Sequence, residues 1–554
     1  MNYYIVNNAS RAAAYGIGTY VKQLITVLQA LSEYPIYLIE LYAEDKDFTV
    51  FTDELGITHY RVPALPSQME SETYCRTVGY LLAPYIVDGE PAIFHFNYFQ
   101  HYPLALWFKA RNIHHRILFS VHYFNWCFAL NGNLTQFRRI LLQEDSDIED
   151  KYISIKQEYR ECLKFLHLAD QVIVLSVFCQ QLLQTDYHIQ ANKIVLIYNG
   201  LKEEITEDND LSATSPQSIN SYDSTLTGIP VSPFIFYAGR LDEIKGVKYL
   251  IRAFHQVLTT HPDARLVLAG NGDFNTCLEE CEGIWDKVTF TGHINAQSLT
   301  AFYRHATLGV LPSFHEQCSY TAIEYMMHGL PFVGTDSTGL SEMLNDVPQL
   351  RVHIDEEAFD EAAFVNELST NICQLLDDAA LRQCVSQQMR ANYLSHFTLR
   401  QMEQAIHQVI VSLLPHSPLL SGEMLQEVDI YMMRLIHQQL DIDMDFYGMA
   451  GIGVYLWWRY QTLKGTDEEI MRAKIGEYLI YYLDWLYEEV VSEGLTSCVQ
   501  ELAFTLREMV NEHFYPLRCI PLTALLHGSS NQGICSPSPV VIWQNAMRMM
   551  NTKI

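Results

Sequence analysis

The sequence predicts an α/β protein: two parallel-sheet units followed by an all-helical C-terminal extension. Three observations carry this. Short, continuous apolar runs alternate with helical patterns up to about residue 200. The alternation resumes from about 231 to 350 after an acidic, Ser/Thr-rich interruption. Beyond about 420 only helical patterns remain. A chain of 554 residues is also too long for one core, so two domains plus an extension are expected.

In the first unit the candidate strands are "YYIVNN", "IYLIELYA", "AIFHFNYF", "RILFSVHYF", "QVIVLS" and "KIVLIYNG". Such β-branched and aromatic runs suit strands covered on both faces. Between the first two, Val21, Leu24, Ile25, Leu28 and Leu31 recur at helical spacing. Strand, helix, strand in succession implies a parallel sheet with helices on both faces. Residues 1–200 form this unit, and 201–230 read as a linker or mobile loop, poor in apolar residues. In the second unit, residues 231–414, strands are expected at "PFIFYAG", "ARLVLAG", "KVTFTG", "LGVLPS" and "PFVGTD". Helices are expected near 247–260 and 297–305, with further helical patterns to about 414. After "PHSPLLSG" the extension, 420–554, carries Met, Tyr, Trp and Leu on helical faces and ends in a loop-like tail.

The composition is ordinary for a globular chain, 49% hydrophobic and 18% charged. The net charge is −29, from 36 Lys+Arg against 65 Asp+Glu, which argues against broad nucleic-acid binding. One local basic group, Lys109, Arg111, His114, His115 and Arg116, reads as a solvated helix end or an anionic contact. The N-terminus has no signal-like pattern, and no run approaches a membrane span. The twelve cysteines are scattered, and Cys277 and Cys281 lack further ligands for a zinc site. Cytoplasmic location, with no metal and no cofactor, is the expectation.

The chemistry concentrates in the second unit. "YAGRLDEIKG" places Arg240 just after a strand and Lys245 before a helix. Two cations at a strand's carboxyl end suit a diphosphate; alone, they also fit solvated loop cations. "HEQCSYTAIEYMMHGLPFVGTD" then holds Glu316 and Glu324. Glu316 lies in the loop after a strand that stops at Pro312. A helix starting near Tyr320 or Thr321 puts Glu324 about one turn inside, leaning back toward the crevice. A carboxylate there matches the two hydroxyl donors of a ribose. The helix N-terminus adds amide donors. Spacing alone also fits two unrelated surface charges.

Together, "GRLDEIKG" and "PSFHEQCSYTAIEYMMHGLPFVGTD" resemble the nucleotide-sugar domain of retaining glycosyltransferases of family 4, which have the GT-B fold of two Rossmann-like domains facing a cleft. The resemblance covers roughly residues 1–410. It implies Arg240 and Lys245 on the diphosphate, Glu316 on the donor sugar and Glu324 on the ribose. "LAGNGD" and "VTFTGHI" look like the family's nucleotide-binding strands, which implies Gly270, Asn271 and Ile294 near the base. In the first unit, Gly16 and Gly18 match the family's glycine loop in position, although an ordinary tight turn explains them too. His122, ending "FSVH", matches a histidine that faces the sugar. Asn199 and Gly200 read as the turn ending the first domain, with no chemical role.

The chain departs from the family between the two glutamates. Glycines are usual there; this chain has Gln317, Cys318 and Ser319, followed by Tyr320 at the helix start. Ser319 can still offer an amide, whereas Cys318 narrows the sugar pocket. The resemblance implies transfer of a sugar from a nucleotide diphosphate sugar to an unknown acceptor (glycan, lipid, small molecule or peptide), with anomeric retention and a hexosyl donor. The competing class is a non-catalytic partner or scaffold subunit. In the extension, Gly448, Gly451 and Gly453 are expected to interrupt a helix, weakly resembling lanthionine-cyclase-like repeats. The zinc ligands of such enzymes are not evident, although Cys498, Cys519, His527 and Cys535 follow. Helical packing or a protein partner is the expected role.

Overall fold

The computed structural model describes residues 2–9, 16–31, 34–64, 71–86, 92–111, 115–143, 149–203, 229–230, 233–413, 428–433, 436, 449–464, 469–493, 505–506 and 509. The first sheet has eight strands: β1 (Asn2–Asn8), β2 (Ile36–Ala43), β3 (Thr49–Thr52), β4 (Thr58–Pro63), β5 (Ala92–Phe96), β6 (Arg116–Val121), β7 (Gln171–Val174) and β8 (Ile194–Leu196). Their order is β3-β4-β2-β1-β5-β6-β7-β8, parallel except for β3 on the edge. The second sheet has six parallel strands: β9 (Phe234–Ala238), β10 (Arg265–Ala269), β11 (Val288–Gly292), β12 (Leu308–Leu311), β13 (Phe332–Thr335) and β14 (Arg351–Val352), in the order β11-β10-β9-β12-β13-β14.

The central strands are apolar on both faces because helices cover both. β5 and β9 are buried at every position. Helix Gly16–Leu31 buries Tyr20, Val21, Leu24, Val27 and Leu28. On the other face Phe94 stacks on Tyr4 and Phe108, with ring centroids 4.7 and 4.0 Å away. Fully burying one such ring stabilises the fold by roughly 1.5–3 kcal/mol. Helices Val247–Thr260 and Ala296–His305 stand where helical spacing predicts them.

Sequence reading missed the β3–β4 hairpin and the two-residue β14. β3 is exposed at all four positions, so it carries no buried-strand pattern. The chain leaves the first domain at Asn199–Leu201 and returns beside itself: the Leu201 amide donates to Phe397 O (3.0 Å), and the Leu399 amide donates to Leu201 O (2.9 Å). The following helix, Leu399–Leu413, packs on helix Gly16–Leu31 of the first domain.

In the extension, 428–433, Met449–Thr462 and Glu469–Glu493 are helical. Gly451 and Gly453 do not break a helix, contrary to expectation; they lie within Met449–Thr462. A Cβ at Gly453 would lie 2.5 Å from the Tyr482 ring, so glycine allows two helices to approach. Asp429 and Arg459 form a buried bidentate pair (2.9 and 2.7 Å), joined by the Tyr455 hydroxyl (2.7 Å). Gly448, the 204–228 stretch, the tail, and Cys498, Cys519, His527 and Cys535 lie outside the described residues. The basic group of the first domain disperses. Lys109 pairs with Asp170 (2.7 Å), Arg111 lies over the Trp107 ring, His115 is buried, and His114 is outside the described residues. No described helix is long and apolar enough to cross a membrane.

Candidate active site

A cavity of about 650 Å³ lies between the two sheets, at their carboxyl edges. In the second sheet the strand order reverses between β9 and β12, which opens a crevice at the ends of these two strands. Arg240 follows β9, and Ser313, His315 and Glu316 follow β12, so both groups enter the cavity. Glycines permit the close approach. A Cβ on Gly270 would lie 1.8 Å from Gly239 O, and a Cβ on Gly246, at φ 68°, would lie 2.1 Å from Pro312 O.

Both cations are engaged. The Arg240 guanidinium lies 2.8 Å from the Asp242 carboxylate, and its carbonyl accepts from the Tyr237 hydroxyl (2.6 Å). Lys245 Nζ donates to Glu316 Oε1 at 2.5 Å, and Ser313 Oγ donates to the same oxygen at 2.9 Å. The Arg240 pair is partly exposed and weak. The Glu316 backbone is clamped in turn. Its amide donates to Thr338 Oγ1 (3.0 Å), and its carbonyl accepts from that hydroxyl (2.6 Å) and from the Gly339 amide (2.9 Å). Thr338 sits at φ 37°, an unfavourable conformation for a β-branched residue, held by these contacts.

Glu324 lies in the first turns of helix Tyr320–Met327, which Ser319 caps by accepting from the Ala322 amide (3.4 Å). The Tyr303 hydroxyl donates to Glu324 Oε2 at 2.5 Å. Removal from bulk water pushes the Glu324 carboxyl up to about 7; the tyrosine bond opposes this only in part. Glu324 lines the cavity.

From the first domain, His122 directly follows β6 and lines the cavity. Its Nε2 lies 2.9 Å from Asn97 Oδ1, while Asn97 Nδ2 donates to Val6 O (3.2 Å). This places the ring proton on Nε2. Burial lowers the His122 pKa to about 3, so the ring stays neutral. The edge of Tyr20 packs on it, 4.7 Å between centroids, and the Tyr20 hydroxyl joins a buried chain through Ser120 and His95 to Tyr3.

Of the residues singled out in sequence, Gly16, His122, Arg240, Lys245, Gly270, Ile294, Glu316, Cys318, Ser319, Tyr320 and Glu324 line this one cavity. Two expectations are corrected. Gly18 is buried inside the first helix, which begins at Gly16, so it does not form a loop. Asn271 is exposed outside the cavity; its carbonyl accepts from the Leu241 amide (3.0 Å). The segment without glycines has a physical role. Gln317 Oε1 accepts from Ser176 Oγ (2.9 Å), and Cys318 O accepts from Asn199 Nδ2 (2.7 Å), which ties the loop to the first domain. Nearby, both Glu342 oxygens accept from the Val177 amide at 3.0 Å, and burial pushes this carboxyl up to about 7. Asn199 therefore lines and braces the site, beyond the turn read from sequence. Sequence reasoning also missed Tyr303 and Tyr98, neither of which stands at a readable spacing from the motif residues.

Residues 232–378 match the family described as Glycosyl transferases group 1. An uncharacterized glycosyltransferase of Methanocaldococcus jannaschii is 32% identical over 177 residues, 31% of this chain and 44% of that protein. Alpha-D-kanosaminyltransferase of Streptomyces kanamyceticus is 28% identical over 165 residues, 28% of this chain and 39% of that enzyme. The chain thus matches less than half the length of these relatives. Among solved structures, sucrose-phosphate synthase from Thermosynechococcus elongatus superposes with a TM-score of 0.56 at 20% identity, over 74% of this chain and 99% of that one. The fold is GT-B-like, with a helical C-terminal region added.

Proposed function

We propose that this chain is a glycosyltransferase that moves a sugar from a nucleotide diphosphate sugar to an acceptor, with retention of anomeric configuration, in the manner of family 4. One observation carries the reading. Two cations, a hydrogen-bonded glutamate and a buried glutamate converge on one interdomain cavity at the strand-order reversal of the second sheet. In this reading Arg240 and Lys245 hold the diphosphate and stabilise the charge that grows on it as the glycosidic bond breaks. Glu316 accepts from sugar hydroxyls, Glu324 from the ribose, and neutral His122 faces the sugar. A hexosyl donor fits this reading. The leaving phosphate accepts the acceptor's proton on the same face, so no enzyme nucleophile is needed. The two cations and nearby amides supply the electrophilic help, so the reading needs no metal.

A scaffold role is less well supported. Lys245, Ser313 and Thr338 all serve to fix Glu316, and a remnant site has no need of that arrangement. The test is a thermal-shift screen of UDP-, ADP-, GDP- and TDP-sugars, followed by slow nucleotide release in water. A ligand bound only by the folded state raises its unfolding temperature. A chain that binds no nucleotide sugar and releases no nucleotide is not a transferase of this kind.

A further inference from the structure

The loop that carries Glu316 is held from the other domain. Ser176 follows β7 and caps helix Val177–Thr185 of the first domain, its hydroxyl accepting from the Cys179 amide at 3.1 Å. That hydroxyl also donates across the domain boundary to Gln317 Oε1 at 2.9 Å. Both residues are buried, so water does not compete for the bond. With its proton and a lone pair both engaged, the hydroxyl has a fixed direction, and it orients a glutamine 141 positions away. Glycine at position 317 could make no such bond, so this link exists because the loop lacks glycine there.

The next residue of the same helix opens a second route. The Val177 amide donates to both Glu342 oxygens at 3.0 Å. A helix N-terminus has free amides and a positive dipole end, which a carboxylate satisfies. Glu342 stands in the last turn of a short helix, Thr338–Met343. Thr338 and Gly339, which open that helix, are the residues that clamp the Glu316 backbone. The approach is close: a Cβ on Gly339 would lie 1.8 Å from Gln317 O and 3.0 Å from Glu316 O. A displacement of Thr338–Met343 is therefore passed to Glu316. Both routes begin at one helix N-terminus of the first domain and end at one carboxylate of the second. Arg240 and Glu324, by contrast, take their partners, Asp242 and Tyr303, from the second domain itself.

We propose that Gln317 and Glu342 are positioning residues for the transfer: through them the first-domain helix Val177–Thr185 sets the orientation of the Glu316 carboxylate, while the grip on the nucleotide does not depend on it. The inference rests on the transferase reading above, in which Glu316 faces the sugar.

The experiment uses the full chain, the nucleotide sugar that gives the largest thermal shift, and the nucleoside diphosphate that this sugar carries. Turnover is read as nucleotide release in water at saturating donor, and affinity for the nucleoside diphosphate by calorimetry. A misplacement of about 1 Å can cost about a hundredfold, so Gln317→Ala and Glu342→Ala should each lower kcat at least about tenfold. Affinity for the nucleoside diphosphate should stay within about twofold of wild type in both. Glu342→Gln keeps an oxygen for the Val177 amide and should recover most of the turnover lost in Glu342→Ala. In a Glu316→Gln background neither alanine change should cost anything further, because both act through Glu316. Wild-type kcat in either alanine variant, an equal loss of nucleoside diphosphate affinity, or costs that add in full to that of Glu316→Gln overturn the inference. A wild-type chain that shows no thermal shift with any nucleotide sugar overturns the transferase reading instead, and this inference with it.

Discussion

If Glu324 holds the ribose, nucleotide-sugar binding should be a proton-linked event. Its carboxyl is held up to about 7 by removal from bulk water, with Tyr303 donating to one oxygen at 2.5 Å. A ribose diol offers two donors, and a carboxylate accepts both, whereas a carboxylic acid must spend an oxygen on its own proton. If only the carboxylate form binds, apparent affinity falls by a factor of one plus the ratio of acid to carboxylate. That factor is about 11 at pH 6 and about 1.1 at pH 8, a roughly tenfold change across the range. About half a proton should leave the protein per ligand bound at pH 7. His122, lowered to about 3, stays neutral throughout and adds nothing. The diphosphate of a nucleotide sugar is esterified at both ends and also does not titrate here. The assay is titration calorimetry at pH 6, 7 and 8, repeated at pH 7 in two buffers of different ionisation enthalpy. Glu324→Gln should abolish both the slope and the buffer dependence. Losing hydrogen bonds to a charged acceptor should weaken binding at pH 8 by roughly 1.5–3 kcal/mol. An affinity flat from pH 6 to 8, or the same slope in the variant, refutes the assignment of Glu324 to the ribose.

Glu342 has its folded pKa raised to about 7. Its contribution to stability is therefore full below the ordinary carboxylate value and is lost as pH rises through about 7. The unfolding temperature of Glu342→Gln, relative to wild type, should rise from pH 5 to pH 8; a constant difference shows that this group does not titrate on folding. Arg240→Ala and Lys245→Ala should each slow turnover at saturating donor by several hundred-fold, roughly 3–4 kcal/mol of transition-state stabilisation, in a stopped assay of nucleotide release. Near-normal turnover in either places that residue on the solvated surface. Gly453→Ala puts a Cβ into the Tyr482 ring and should lower the unfolding temperature while leaving donor affinity unchanged, as should ending the chain after Leu413. Lost donor binding in a folded form of either shows that the extension supports the donor site.

Most of the fold was legible because buried parallel strands write themselves as unbroken apolar runs. The exceptions follow the same physics. β3 is fully exposed and β14 is two residues long, so neither leaves such a run. Helix Leu399–Leu413 was legible as a helix, but its packing on Gly16–Leu31 was not, since periodicity marks which face is apolar and never which distant partner covers it. The glycines of Met449–Thr462 were read as interruptions because local propensity treats every glycine alike. At Gly453 the neighbouring Tyr482 ring decides instead, and it comes from another helix.

The two halves of the cavity were unequally legible for a related reason. On the donor side, Arg240 with Lys245 and Glu316 with Glu324 each fall within ten residues, on one strand-loop-helix passage, so that context, with the family resemblance, points both pairs to one strand edge. Tyr303, which holds Glu324, comes from a separate helix and has no such spacing. On the first-domain side nearly everything is of Tyr303's kind. Tyr98, Tyr123 with Phe128, and Asn199 come from three separate stretches, joined only by the strand order of the first sheet. A charged ligand needs a concentrated set of opposite charges, which leaves a compact motif.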